Sequence, residues 1–194
     1  MRAYLALHAV VRVLTRLLYR FELHGRPPAE GPYVLAANHE SVIDPFVLGL
    51  VTRRMVHFLA KDELWKIAWV GRLAERFGGI PISRGRGDRD ALARAERILR
   101  EGGIVAIFPQ GRVRWEGPWY RGAAKLALAT GVPIVPVRLV NTGKAVSRGL
   151  PGLPRVSAVV GEPIAVEPAP STIAAARELT DRVRAAIDAL PAPD

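Results

Sequence analysis

The chain has 194 residues, 49% hydrophobic and 24% charged, which suffices for one sizeable core and argues against disorder outside the closing PAPD. It has no cysteine, so disulfides, thiolate nucleophiles and cysteine-held metals are excluded, and its four histidines, His8, His24, His39 and His57, show no HExxH or comparable ligand spacing. A formal net charge of +10, carried mostly by arginine, implies an anionic partner: nucleic acid, an anionic membrane or a phosphorylated small molecule.

Residues 1–25, MRAYLALHAVVRVLTRLLYRFELHG, read as an amphipathic helix. His8, Arg12, Arg16, Arg20 and His24 recur every fourth residue and drift only about 40° per step round a helix. Opposite them stand Leu7, Val10, Val11, Leu14, Leu17, Leu18 and Phe21. The basic residues run through the apolar stretch and no small-residue cleavage site follows, which argues against a secretory signal. A membrane-spanning helix would place Arg12, Arg16 and Arg20 in the bilayer core, each at a cost of several kcal/mol. The pattern fits a helix lying flat on an anionic membrane surface. Taken alone, it is met more often by a helix packed on its own domain with its arginines in solvent.

Further along, apolar runs and amphipathic stretches alternate. YVLAAN reads as a buried strand, and DPFVLGLVT as a helix with Pro45 in its first turn. MVHFLA is a strand, ELWKIAWVGRLAERFG a helix ending at Gly78, and GIPIS a short strand. DRDALARAERILREGG is a helix with Asp88 as N-cap and Gly102 beyond its end. IVAIFP is a strand, RGAAKLALATG a helix, and VPIVPVRLV and RVSAVVGEPI are strands. TIAAARELTDRVRAAIDAL closes the chain as a long amphipathic helix. The alternation predicts an α/β fold with a mixed, largely parallel sheet flanked by helices. In open sheets of this kind ligands collect beyond the carboxyl ends of the strands. Three unusual stretches fall there: NHESVID, ISRGRG and FPQGRVRWEG.

In NHESVIDPF, His39 and Asp44 lie five residues apart at a strand-to-helix corner. A carboxylate accepting the Nδ1–H of an imidazole fixes the tautomer, leaves Nε2 free to take a proton and stabilises the imidazolium that forms. An ordinary imidazole pKa near ~6.5 suits a general base. No G-x-S-x-G elbow accompanies the pair, so such a base would act on the substrate's own hydroxyl. For this pair alone, the plainer reading is an aspartate capping its helix before Pro45 and a histidine packed in a loop. The other two stretches add weight to the catalytic one. GGIPISRGRG delivers Arg84, with Arg86 nearby, between glycines that allow close backbone approach. FPQGRVRWEG turns at Gly111 and presents Arg112 and Arg114 among Trp115 and Trp119. Arginines in such loops suit bidentate phosphate contacts, with solvated surface arginines and core tryptophans as the alternative.

Four blocks in this order resemble the glycerolipid acyltransferase family, typified by 1-acyl-glycerol-3-phosphate acyltransferase. N-H-x4-D is matched by Asn38, His39 and Asp44, G-x-I-x-x-x-R by GGIPISR ending in Arg84, F-P-E-G-T-R-S by FPQGRVR over 108–114, and V-P-I-V-P-V by residues 132–137. The resemblance spans roughly residues 30–140 and rests on the ordered set. It implies a glycerol-3-phosphate acyltransferase-like domain over residues 26–194, preceded by a membrane-docking helix at 1–25. His39 would deprotonate an acceptor hydroxyl, oriented by Asp44, for attack on an acyl thioester of coenzyme A or acyl carrier protein. Arg84, Gln110, Gly111, Arg112 and Arg114 would bind substrate, the arginines holding a phosphate. No metal and no permanently bound cofactor would be needed.

The implied acceptor is a lysophospholipid, by default 1-acyl-glycerol-3-phosphate giving phosphatidic acid, and the implied place of action is the cytoplasmic face of the cell membrane, as a peripheral monotopic protein. The third block departs from the family pattern: Gln110 replaces glutamate, Arg112 stands at the threonine position, Val113 at the arginine position, and Arg114 follows. A different lipid acceptor, a thioesterase and an inert lipid-surface protein therefore stay open on the same fold. A nucleic-acid-binding domain is disfavoured, because no binding motif is present, the basic residues are spread and aromatics make up only 7%.

Overall fold

The computed structural model describes residues 2–82, 89–147 and 155–193. The expected Asp88 cap and the Arg84 and Arg86 loop lie outside them. Among the described residues seven strands form one sheet: β1 (Glu22–His24), β2 (Tyr33–Ala37), β3 (Val56–Lys61), β4 (Gly79–Ile82), β5 (Ile104–Ile107), β6 (Ile134–Val140) and β7 (Ser157–Val160). Their order is β1-β7-β6-β2-β5-β3-β4. Every neighbouring pair is parallel except β6 with β7. This is the mixed, largely parallel sheet that the alternation of elements predicts.

The central strands β2 and β5 are apolar throughout because both their faces are covered. Side chains alternate between two cores. Val34 and Ala36 of β2, with Val105 and Ile107 of β5, face α4 (Arg89–Arg100), α5 (Gly122–Thr130) and α7 (Ile173–Ala189). Tyr33, Leu35 and Ala37, with Ile104 and Ala106, face the opposite side, where Val47, Leu48 and Leu50 of the segment around α2 (Asp44–Gly49) complete the core.

α1 (Arg2–Tyr19) stops short of the helix expected to run through residue 25. Arg20 takes a left-handed φ of 44° and Phe21 turns into the core, 6% exposed. Glu22 N–H then bonds Val156 C=O at 3.0 Å, opening the β1–β7 ladder. His24 is therefore a strand residue. Along α1 the packed stripe is Val11, Thr15 and Tyr19, at i, i+4, i+8. The more apolar side, Val10, Val13, Leu14, Leu17 and Leu18, is exposed, Leu17 by 73%. A helix that merely packs its apolar face on its own domain does not have this arrangement.

The helix expected from Glu63 to Gly78 is two pieces, a 3₁₀ turn (Asp62–Lys66) and α3 (Ala68–Arg76). Trp65 folds back over Gly71, where a Cβ would lie 3.1 Å from the Trp65 Cα, and its Nε1–H donates to Glu75 Oε1 at 3.1 Å. A six-residue helix, α6 (Thr142–Ser147), follows β6, and Ile164 pairs with Ile134 as an isolated bridge beyond β7. Gly102 closes α4 with a φ of 84°, as its place in the sequence predicts.

Candidate active site

β2 and β5 are adjacent and parallel, so the segments after them, 38–43 and 108–121, emerge side by side at one edge of the sheet. The first is anchored by Asn38. Its Oδ1 accepts Leu139 N–H at 2.7 Å and its Nδ2 donates to Leu139 C=O at 2.9 Å. A side-chain amide thus continues the β2–β6 pairing while the backbone leaves the sheet, and His39 follows just beyond the strand end.

The His39 Nδ1 and Asp44 Oδ2 atoms are 2.7 Å apart. The same oxygen accepts the backbone N–H groups of Glu40 at 2.7 Å and Ser41 at 2.8 Å. Asp44 is the first residue of α2, with Pro45 next to it, but no side chain caps that helix. The carboxylate turns back toward the loop and the imidazole instead of capping the helix. Asp44 is 0% exposed, and three hydrogen bonds on Oδ2 offset that burial, while Oδ1 has no partner among the described residues. An acceptor-only carboxylate places the His39 proton on Nδ1 and leaves Nε2 with its lone pair. Phe108 stacks on the ring with centroids 4.3 Å apart and planes 20° apart.

The second segment grips the backbone of His39. Gln110 Oε1 accepts His39 N–H, and Arg114 N–H donates to His39 C=O at 2.7 Å. Gln110 Nε2 donates in turn to Trp115 C=O at 3.0 Å. Gly111 is a turn residue with φ 67°, where a Cβ would sit 2.6 Å from the Tyr120 ring. Tyr120 N–H closes the excursion onto Pro109 C=O at 2.7 Å.

His39 opens on a cavity of about 310 Å³, lined also by Glu40, Arg114, Trp119, Arg138 and Arg184. The structure therefore brings together His39, Asp44, Gln110 and Arg114. Arg112 instead lies with its guanidinium 5.4 Å from the Trp115 ring centroid, outside that lining. Arg84 is outside the described residues. Arg138 and Arg184 were not singled out from sequence. The first directly follows the VPIVPV block, a usable signal, whereas Arg184 on α7 carries none. Arg138 Nη1 bonds the α7-terminal carbonyls of Asp188 at 3.1 Å and Leu190 at 2.5 Å, and Arg184 lies over the Trp119 ring at 5.7 Å. Burial and the nearby Asp44 push the Glu40 carboxyl above its ordinary range, partly offset by the Asn38 hydrogen bond and by Arg138 and Arg114. Among the described residues no group of three or more histidine and carboxylate side chains is placed to hold a metal ion.

A buried carboxylate holding an imidazole at the carboxyl edge of a mostly parallel sheet, beside an arginine-bearing cavity, is an arrangement for taking a proton from a bound hydroxyl. The fold is shared with the crystal structure of the 1-acyl-sn-glycerophosphate acyltransferase of Thermotoga maritima, at a TM-score of 0.69 and 24% identity over 96% of this chain and 76% of that one. Residues 20–140 match the acyltransferase family, and the chain belongs to that family.

Among curated relatives, a chloroplastic 1-acyl-sn-glycerol-3-phosphate acyltransferase of Brassica napus is 32% identical over 136 residues, 68% of this chain and 39% of that protein. The 1-acyl-sn-glycerol-3-phosphate acyltransferase of Bacillus subtilis is 29% identical over 139 residues, 71% of this chain and 69% of that protein. The match thus spans well under half of the plant protein and about two thirds of the bacterial one.

Proposed function

We propose that the protein is an O-acyltransferase that moves a fatty acyl group from a thioester, of coenzyme A or acyl carrier protein, to the free hydroxyl of 1-acyl-glycerol-3-phosphate, giving phosphatidic acid. The observation that carries this reading is the 2.7 Å contact of His39 Nδ1 with a fully buried Asp44, at the mouth of a cavity that arginines share. His39 Nε2 takes the hydroxyl proton as the acceptor oxygen attacks the thioester carbonyl. A C–O bond forms, the tetrahedral intermediate collapses, the C–S bond breaks, and the imidazolium returns its proton to the departing thiolate. Asp44 stabilises that imidazolium. Arg114, with Arg138 beside it in the lining, receives the acceptor phosphate. The second family block supports a phosphate role for Arg84, whereas Arg112, at the threonine position of the third block, lies against Trp115 outside the cavity lining.

The acceptor and product are lipids, and the exposed side of α1 supports docking on a bilayer. Val10, Val13, Leu14, Leu17 and Leu18 face outward, and Val42 and Phe46, on the loop and helix next to His39, are 69% and 60% exposed. Arg16 and Arg20 are also exposed. The Arg12 guanidinium is pushed below its ordinary value by partial burial and by Arg16, Arg53 and Arg26, a concentration of positive charge that anionic headgroups would relieve. Among the described residues no helix is long and apolar enough to cross a membrane. The exposed apolar and basic side of α1 supports a peripheral, monotopic protein, and the lipid acceptor implied by the family blocks supports the cytoplasmic face of the cell membrane as its place of action.

Thiol release from palmitoyl-CoA by detergent-solubilised protein, with a panel of acceptors and a no-acceptor control, tests the assignment. Release that requires 1-acyl-glycerol-3-phosphate and disappears in His39→Ala is the expected result. Equal release without any acceptor would make the protein a thioesterase, and release only with another lipid would reassign the acceptor.

A further inference from the structure

Position 110 carries an amide where the resemblance calls for a carboxylate, and the contacts of that amide use both of its ends. Oε1 meets a donor, His39 N–H, while Nε2 meets an acceptor, Trp115 C=O, at 3.0 Å. The two partners are backbone groups of fixed polarity, so the amide orientation is determined by them. An ionised carboxylate accepts only, and would set a negative oxygen against the Trp115 carbonyl with no proton between them.

The neighbouring backbone completes the grip. Arg114 adopts a left-handed φ of 54°, rare for a residue with a side chain, and its N–H meets His39 C=O at 2.7 Å. Loop 109–120 therefore holds both backbone groups of His39, while Asp44 and Phe108 hold its ring. The same loop sends Trp115, Glu116 and Trp119 into the cavity lining.

We propose that Gln110 is a positioning residue, not a substrate ligand, and that its neutral amide couples the cavity-lining loop 109–120 to the base, so that the two hold one geometry. The inference rests on His39 being the base of the proposed reaction. What it adds is a requirement for a group at position 110 that donates and accepts at once.

The substitution Gln110→Glu tests that requirement, since a protonated carboxyl donates and accepts and an ionised one does not. Activity of the variant is taken as a ratio to wild type at matched pH, which cancels the pH dependence that both proteins share. At pH 8 the kcat ratio is expected to fall on the order of tenfold to a hundredfold, as for a slightly misplaced catalytic group. Both KM values should stay close to wild type, and the ratio should rise as pH is lowered below 6 toward the ordinary carboxyl range. Gln110→Met, which lacks both hydrogen bonds and any charge, should lose kcat by a ratio that does not change with pH.

Acrylamide quenching of tryptophan fluorescence supplies a readout independent of turnover. Gln110→Glu should be quenched more than wild type at pH 8, and the excess should shrink as pH is lowered toward 4 and the carboxyl takes up its proton. An unaltered kcat and unaltered quenching, a pH-independent ratio in the glutamate variant, or a loss confined to acceptor KM would each overturn the proposal. A wild-type protein without acceptor-dependent turnover defeats the proposed function instead, and the quenching comparison then decides the loop coupling on its own.

Discussion

Asp44 holds His39 from the protein side: one carboxylate oxygen, 2.7 Å from the imidazole Nδ1, also accepts the N–H groups of Glu40 and Ser41, and the carboxylate is fully buried. The loop that carries the histidine is thus folded around the group that polarises it. Removing the ring and removing the charge should have different consequences.

His39→Ala is expected to abolish acceptor-dependent turnover in a protein that still folds, because the ring is at a cavity mouth and its backbone contacts do not need it. Asp44→Asn can retain an oxygen at the Oδ2 position for all three donors and place its amide nitrogen at the unpartnered Oδ1 position. It should fold, yet lose kcat by on the order of 10²–10⁴, since the imidazolium loses its counter-charge. Steady-state rates paired with thermal unfolding check both variants. Near-wild-type rates in folded His39→Ala protein would remove the base from the mechanism.

Asn38 is a structural member of the same motif. Its amide satisfies Leu139 N–H and C=O where the β2–β6 ladder would otherwise end. Asn38→Ala leaves both backbone groups without that partner and should destabilise by about 1–3 kcal/mol. Urea unfolding should show a lower midpoint at an unchanged slope. Asn38→Asp should be no better than alanine above neutral pH, because its carboxylate opposes the Leu139 carbonyl.

How much of this arrangement is legible in the chain depends on whether the signal is local. β2, β5 and the first half of β6 are continuous apolar runs because they are buried on both faces, so their residues announce them. His39, Asp44 and Gln110 stand in short ordered motifs. β1 is three residues long and continues the fourfold spacing of α1, so the sequence pattern there reads as more helix. Its strand character comes from pairing with β7, far along the chain. The break after Lys66 comes from Trp65 packing on Gly71, a contact that periodicity does not encode. Arg138 and Arg184 reach the cavity from β6 and α7, and the polarity of the Gln110 contacts is set by backbone groups of two different segments. These are tertiary facts, visible only once the strands are placed.

Glu40 gives a pH signature. Burial and Asp44 raise its carboxyl above the ordinary range, so the folded state binds that proton more tightly than the unfolded chain. Its contribution to stability is therefore present below the unfolded value near 4.5 and is lost as pH rises through the higher folded value. Glu40→Gln removes that loss. The Tm of the variant relative to wild type should increase from pH 4 to pH 7, measured by thermal melts across that interval. A difference that shrinks with rising pH would reverse the sign and discard burial as the dominant cause.

The exposed side of α1 separates membrane docking from folding. Leu14 and Leu17 are 49% and 73% exposed, whereas Thr15, between them, is packed at 8%. Glutamate at Leu14 or Leu17 should change stability by no more than about 0.5 kcal/mol, as surface substitutions do. It also removes apolar area that would enter the acyl boundary, where a buried leucine contributes about 1.5–3 kcal/mol. Binding to vesicles containing anionic lipid should therefore weaken tenfold or more for each substitution. Arg16→Glu should weaken it through charge instead, with an effect that fades as salt is raised and is small on zwitterionic vesicles. Thr15→Glu is the opposite case, lowering Tm because it breaks the packing of α1 on the domain. Cosedimentation of the four variants with both kinds of vesicle, beside their melting curves, distinguishes the two faces of the helix. Leucine variants that bind like wild type would leave the apolar side of α1 without a membrane role.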